Sequence, residues 1–141
     1  MTTLMSAIPV FAVLELERSV VFYEQKLGFR ARHREGGFAI VVRDAVEIHL
    51  TQLDDETWRT REGFAARPVV SGAESFLPGT QMCRVQVDDA KLLYDDVAKH
   101  DVIHPKAHLA DQPWGSRDFG VLDPDRNLLV FFQKDAVPPQ A

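Results

Sequence analysis

Glu47 and His49 stand two residues apart in Val46-Glu47-Ile48-His49-Leu50-Thr51-Gln52. If that run is a strand, both side chains leave the same face, where a carboxylate and an imidazole can share a proton or contribute two donors to a metal ion. Two donors do not close a metal site, so the pair reads first as the lining of a polar cavity or as a hydrogen bond within a sheet, and second as part of a ligand set. His100, His104 and His108 recur every four residues, a spacing that would stack them on a helix, but Pro105 interrupts it and leaves them as loop and turn residues at the surface. Cys83 is the single cysteine and has no activating neighbour in Met82-Cys83-Arg84-Val85, which favours packing over nucleophilic chemistry. On a strand, Arg84 and Gln86 would share a face with Met82, and an arginine turned into a groove selects carboxylate, phosphate or sulfonate. Trp114 lies between Pro113 and Gly115, a turn that would expose the indole for contact with a ligand. Asp111 just before it, and the run Asp54-Asp55-Glu56, could supply negative potential, although such a run is more often a solvated surface.

The elements that must position these residues read twice along the chain. Ala7 to Val13 is apolar and β-branched, with Pro9 near its start, and suits a strand. Val20, Tyr23 and Leu27 then recur at helical spacing, and Gly28 stands where a helix end needs positive φ. Phe29 to His33, Phe38 to Arg43 and Val46 to Gln52 follow as strands, parted by turns at Glu35-Gly36-Gly37 and Asp44-Ala45. The order repeats with a strand over Gln81 to Val87, Asp88 as N-cap, and a helix carrying Ala90, Leu93, Tyr94, Val97 and Ala98. Strands over Lys106 to Asp111, Ser116 to Leu122 and Leu128 to Lys134 complete it, the last two joined by the turn Asp123-Pro124-Asp125-Arg126-Asn127. The fold class is therefore α+β, two tandem βαβββ modules in a single domain over 1–141, with module one at about 6–52, a linker loop at about 53–79 and module two at about 80–134. Trp58, Phe64 and Phe76 in the linker suggest a loop that packs against something, and Trp58 is a candidate ligand contact.

Composition narrows the function further. A net charge of −5 with both signs scattered offers no basic stripe for nucleic acid. The apolar runs are strand-sized, well short of the roughly 20 residues that span a bilayer, and no leader-like segment opens the chain, so the cytoplasm is the expected location.

The repeated modules, with Ser19-Val20-Val21-Phe22-Tyr23-Glu24-Gln25-Lys26-Leu27-Gly28-Phe29 in the first and Leu122-Asp123-Pro124-Asp125 before the last strand, resemble the glyoxalase/vicinal oxygen chelate superfamily. Ala7-Ile8-Pro9-Val10, Phe38 to Asp44, and Gln112-Pro113-Trp114-Gly115 ahead of Arg117-Asp118-Phe119 resemble its bleomycin-resistance subgroup. The resemblance places the metal-ligand positions of catalytic relatives at Ile8, Met82 and Val130, which are apolar, so neither a metal nor another cofactor is expected and the chain leans away from being an enzyme. It further implies a homodimer that exchanges its first strand, with Pro9 helping the arm leave its own module, and a groove at the dimer interface in which Phe38 and Trp114 stack on a flat ligand.

The implied function is sequestration of a bleomycin-type glycopeptide antibiotic or similar planar molecule. Two other readings stay open: a metal-dependent lyase, isomerase or dioxygenase built around His49 and Glu47, and a module for a small anionic metabolite held by Arg84 and the loop arginines Arg59, Arg61 and Arg67.

Overall fold

The computed structural model describes residues 1–53 and 77–138. Trp58, Phe64, Phe76, the acidic run 54–56 and the three loop arginines lie outside the described residues. The first module runs β1 (Val10–Val13), α1 (Leu16–Leu27), β2 (Arg30–Glu35), β3 (Phe38–Arg43) and β4 (Val46–Gln52). The second runs β5 (Met82–Gln86), α2 (Ala90–Val97), a short 3₁₀ turn (Ala98–His100), β6 (Ala110–Asp111), β7 (Arg117–Leu122) and β8 (Leu128–Gln133). Each module folds its four strands into one sheet, in the orders β1-β4-β3-β2 and β5-β8-β7-β6, with the first strand parallel to the last.

α1 forms because Leu16, Val20, Tyr23 and Leu27 stack on one stripe, and it ends where Gly28 takes φ 71°. β3 and β4 occupy their expected ranges. Elsewhere the boundaries shift. β1 starts at Val10 rather than Ala7, and β2 begins and ends later than expected. The N-cap of α2 is Asp89, not Asp88: its carboxylate accepts the Leu92 N–H at 3.0 Å. The strand expected over 106–111 shrinks to two residues because the chain doubles back at Pro105. His104 N–H donates to the Gly120 carbonyl, and Gly120 N–H donates to Ala107, so residues 104–107 bulge out of the ladder as a turn.

The helix-facing sides of both sheets pack into one apolar cluster, in which Phe11, Val41, Ile48 and Leu50 of the first module join Phe119, Val121, Leu129 and Phe131 of the second. A polar clamp closes the seam beside that cluster. Asn127, fully buried, donates from its amide nitrogen to the Ala12 carbonyl of β1 at 2.9 Å and accepts the Gly79 N–H at 2.9 Å through its oxygen. Gln81 accepts the Ala12 N–H at 2.9 Å, and Arg18 of α1 reaches the buried Asp125 carboxylate at 2.7 Å.

The equivalent seam on the other side is built differently. Arg18 is the third residue of α1; the third residue of α2 is Leu92, 69% exposed. The carboxylate of the opposing turn, Asp44, is 91% exposed, whereas that of Asp125 is fully buried. A cavity of about 620 Å³ remains there, lined by Phe29, Asp44, Asp88, Leu92, Asp96 and Phe131 among others.

Replacing Asn127 by Ala leaves the Ala12 carbonyl and the Gly79 N–H without their buried partner, and should cost about 2–3 kcal/mol of unfolding free energy. Urea denaturation measures it; a loss under about 0.5 kcal/mol would show that water substitutes for the amide.

Candidate functional site

The side of each sheet turned away from its helix carries Phe38, Glu47 and His49 in the first module and Met82, Arg84 and Gln86 in the second. On the first sheet the antiparallel register sets Phe38 opposite Thr51, Ile40 opposite His49 and Val42 opposite Glu47, so all six share the open face. Val10 of β1, opposite His49, lies there too. The Phe38 ring meets His49 edge-on at a centroid distance of 5.2 Å and has His33 of β2 on another side at 6.0 Å. His33 pairs with Ile40 only because the ladder slips one residue between Ala31 and His33.

Glu47 is held at both oxygens. His49 Nε2 lies 2.6 Å from Oε2, and an Arg32 Nη lies 3.0 Å from Oε1. The His49 hydrogen bond, aided by the Arg32 charge, holds the Glu47 carboxyl below the ordinary carboxylate range. The carboxylate thus stays ionised, with both oxygens engaged by neighbouring side chains. Among the described residues no three His, Cys, Asp or Glu side chains converge as a metal site would require.

The second sheet resolves where Arg84 points. Met82, Arg84 and Gln86 alternate with the buried Val85, so all three stand on the open face, away from α2. The parallel register brings Arg84 beside Val130 and Gln86 beside Phe132, and the Arg84 guanidinium carbon sits 4.5 Å from the Phe132 ring centroid. Of the three positions that the resemblance sets against metal ligands, Met82 and Val130 lie on this face, and Ile8 lies in the exposed segment ahead of β1. Neither Ile nor Val offers a donor atom, and a thioether suits only soft metals.

Asp111, a candidate source of negative potential, lies on the other face of the second sheet. Its register partner is Arg117, whose own partner Gln133 accepts the Ala90 N–H at the start of α2, so this row faces the helix. Arg117 Nε donates to Asp111 Oδ1 at 2.6 Å, and that bond holds the Asp111 carboxyl below its ordinary range. Asp111 is thus structurally occupied on the opposite face from Arg84 and Phe132. Trp114 follows it in a tight turn, closed by Gly115 N–H donating to the Gln112 carbonyl and by Gly115 at φ 100°, and its indole is 62% exposed. Cys83 packs against the core, and burial pushes its thiol up, which keeps it protonated and unreactive at neutral pH.

Sequence reasoning missed Arg32, His33 and Phe132. Phe132 was accessible from alternation along β8, since it lies two residues from Val130. The other two depend on the bulge in β2, for which nothing in Arg30-Ala31-Arg32-His33 gives a signal.

Residues 8–131 match the Glyoxalase/Bleomycin resistance protein/Dioxygenase superfamily. A bleomycin resistance protein of Geobacillus stearothermophilus is 43% identical over 131 residues, covering 93% of this chain and 98% of its own length. Among solved structures, a bleomycin resistance determinant encoded on the transposon Tn5 superposes with a TM-score of 0.68 at 19% identity, covering 94% of this chain and 99% of that one. A bleomycin-binding protein of Streptomyces verticillus in complex with copper(II)-bleomycin gives 0.64 at 20% identity, covering 93% and 97%.

The depressed Glu47 pKa fixes the sign of a pH effect. Its contribution to stability is fully present above its unfolded value, near 4.5, and is lost as pH falls through the lower folded value. Glu47→Gln should therefore flatten the acid limb of a stability-against-pH curve below about pH 4.5 while leaving the neutral limb parallel to wild type. Thermal melts across that range measure it, and an unchanged acid limb would show that the His49 and Arg32 contacts do not persist in solution.

Proposed function

This chain belongs to the Glyoxalase/Bleomycin resistance protein/Dioxygenase superfamily, and on that premise we propose that it is a non-catalytic protein that binds and sequesters a bleomycin-type antibiotic. The observation that carries the reading is the placement of two aromatic side chains: Phe38 on the open face of the first sheet and Trp114 on an exposed turn of the second module. The full-length likeness to bleomycin resistance proteins supports it. Flat heteroaromatic ligands are held by stacking between such rings, worth about 0.5–1.5 kcal/mol each beyond the area they bury.

The donor set favours holding over turnover. Ile8 and Val130 cannot coordinate a metal, Met82 suits only soft ones, and Glu47 is occupied by Arg32 and His49. Phe38 and Trp114 belong to different modules, so an isologous dimer that sets module one of one copy against module two of the other gives each of two grooves both rings. Ile8, Val10 and Met82, large apolar side chains left exposed along these faces, support that pairing.

β1 pairs with its own β4 in the single chain, the His49 N–H donating to the Pro9 carbonyl at 3.0 Å. The exposed arm ahead of Val10, with Pro9 at its hinge, is the segment that would cross to the second copy. The single-domain division with a loop over 53–79 and a cytoplasmic location complete the proposal.

Titrating copper-loaded bleomycin into the protein while following Trp fluorescence should give saturable quenching at one ligand per subunit. Trp114→Ala and Phe38→Ala should each weaken binding by about tenfold or more. A flat titration with wild-type protein would sink the antibiotic reading. Sedimentation equilibrium should return twice the 15.9 kDa chain mass, whereas a monomer at micromolar concentration would leave the groove without its second wall.

A further inference from the structure

We infer that Arg84 and Phe132 form a stacking platform on the second sheet, and that the guanidinium receives a flat heteroaromatic ring of the bound ligand on the side turned away from Phe132. The inference rests on the antibiotic-binding reading and adds a specificity-determining residue to it.

The platform follows from register. β5 and β8 run parallel, Arg84 lies beside Val130, and Phe132 lies one pair further along on the same face. A guanidinium carbon over a ring at 4.5 Å from its centroid is in cation–π contact, so Phe132 covers one side of Arg84, while the residue as a whole stays exposed on the open face. Phe132 also restrains a side chain that would otherwise lose much rotamer freedom on binding, which lowers the cost of using it.

The surroundings distinguish between the two things an arginine in a groove can hold. A phosphate or carboxylate needs several converging donors. The open-face neighbours of Arg84 are Met82, 59% exposed, with Leu128, Val130 and Phe132, all apolar. Gln86 is the one further residue of β5 on this face with donor groups. A guanidinium is weakly hydrated, so covering its outer side costs little, and its N–H groups lie in its own plane, where they can reach acceptor atoms at the rim of a heteroaromatic ring. A third flat layer on Phe132 and Arg84 uses all of these features. A free anion uses only the charge.

The test is a comparison of Arg84→Lys and Arg84→Gln in the same titration with copper-loaded bleomycin, with thermal melts to confirm that both variants fold. Lys keeps the charge without the plane; Gln keeps a smaller plane without the charge. Weakening of about fivefold to tenfold by both is the expected result. With metal-free drug, whose NMR lines are not broadened, nuclear Overhauser contacts should join the ligand's aromatic protons to the Arg84 side chain. Wild-type affinity in Arg84→Lys with loss only in Arg84→Gln would overturn the platform in favour of a simple charge contact. Unimpaired binding by both variants would place Arg84 outside the groove and sink this inference alone. Absence of binding to the wild-type protein would sink the antibiotic reading, and the platform with it.

Discussion

The amide of Asn127 is the point through which the two modules become one body. A buried amide that donates to β1 and accepts from the chain entering β5 satisfies backbone groups on both sides of the seam. Each of those groups would otherwise carry a desolvation penalty. The surrounding turn is built to hold the amide still, because Asp123 accepts the backbone N–H of both Asp125 and Asn127 and also the Asn127 side chain. With the seam fixed there, Arg18 can reach Asp125, and the helix-facing sides of both sheets can share one core. The relative placement of the two open faces, and hence of any groove they wall, follows from that clamp.

Duplication leaves the modules free to diverge on the faces that do not build the core. In the first, Arg32, Glu47 and His49 form a closed polar array around Phe38, with the carboxylate satisfied from both sides. In the second, apolar side chains dominate and one guanidinium lies over a ring. In the proposed isologous dimer, with module one of each copy set against module two of the other, divergence between modules would become complementarity between copies. The seams have diverged in the same way: one is closed by an ion pair to a buried carboxylate, and its counterpart keeps an open cavity.

Much of this was legible in the sequence because strand alternation and helical spacing are local. Phe38–Arg43 and Val46–Gln52 could be placed to the residue, and the shared face of Glu47 and His49 followed from their separation alone. Gly28 marked a helix end because only a left-handed residue closes the turn there. The misses share a cause in non-local pairing. The β2 slip that admits His33 is set by the partner strand, and the loss of strand before Ala110 depends on Gly120 bonding both His104 and Ala107. The face that Asp111 occupies was not legible, because it depends on the β6–β7 register with Arg117.

The same geometry favours the proposed retention of a ligand over its turnover. Catalysis needs groups that change state during a reaction, such as a carboxylate free to move a proton or a metal with an open position. Glu47 is held ionised by its His49 hydrogen bond and the Arg32 charge before any ligand arrives, and burial pushes the Cys83 thiol up. What the open faces offer instead are the Phe38 and Phe132 rings and a guanidinium whose positions are set by strand register, which lowers the entropy to be lost when a flat molecule settles on them. Preorganised side chains of this kind lower a dissociation constant without lowering any chemical barrier, which is what the proposed retention requires.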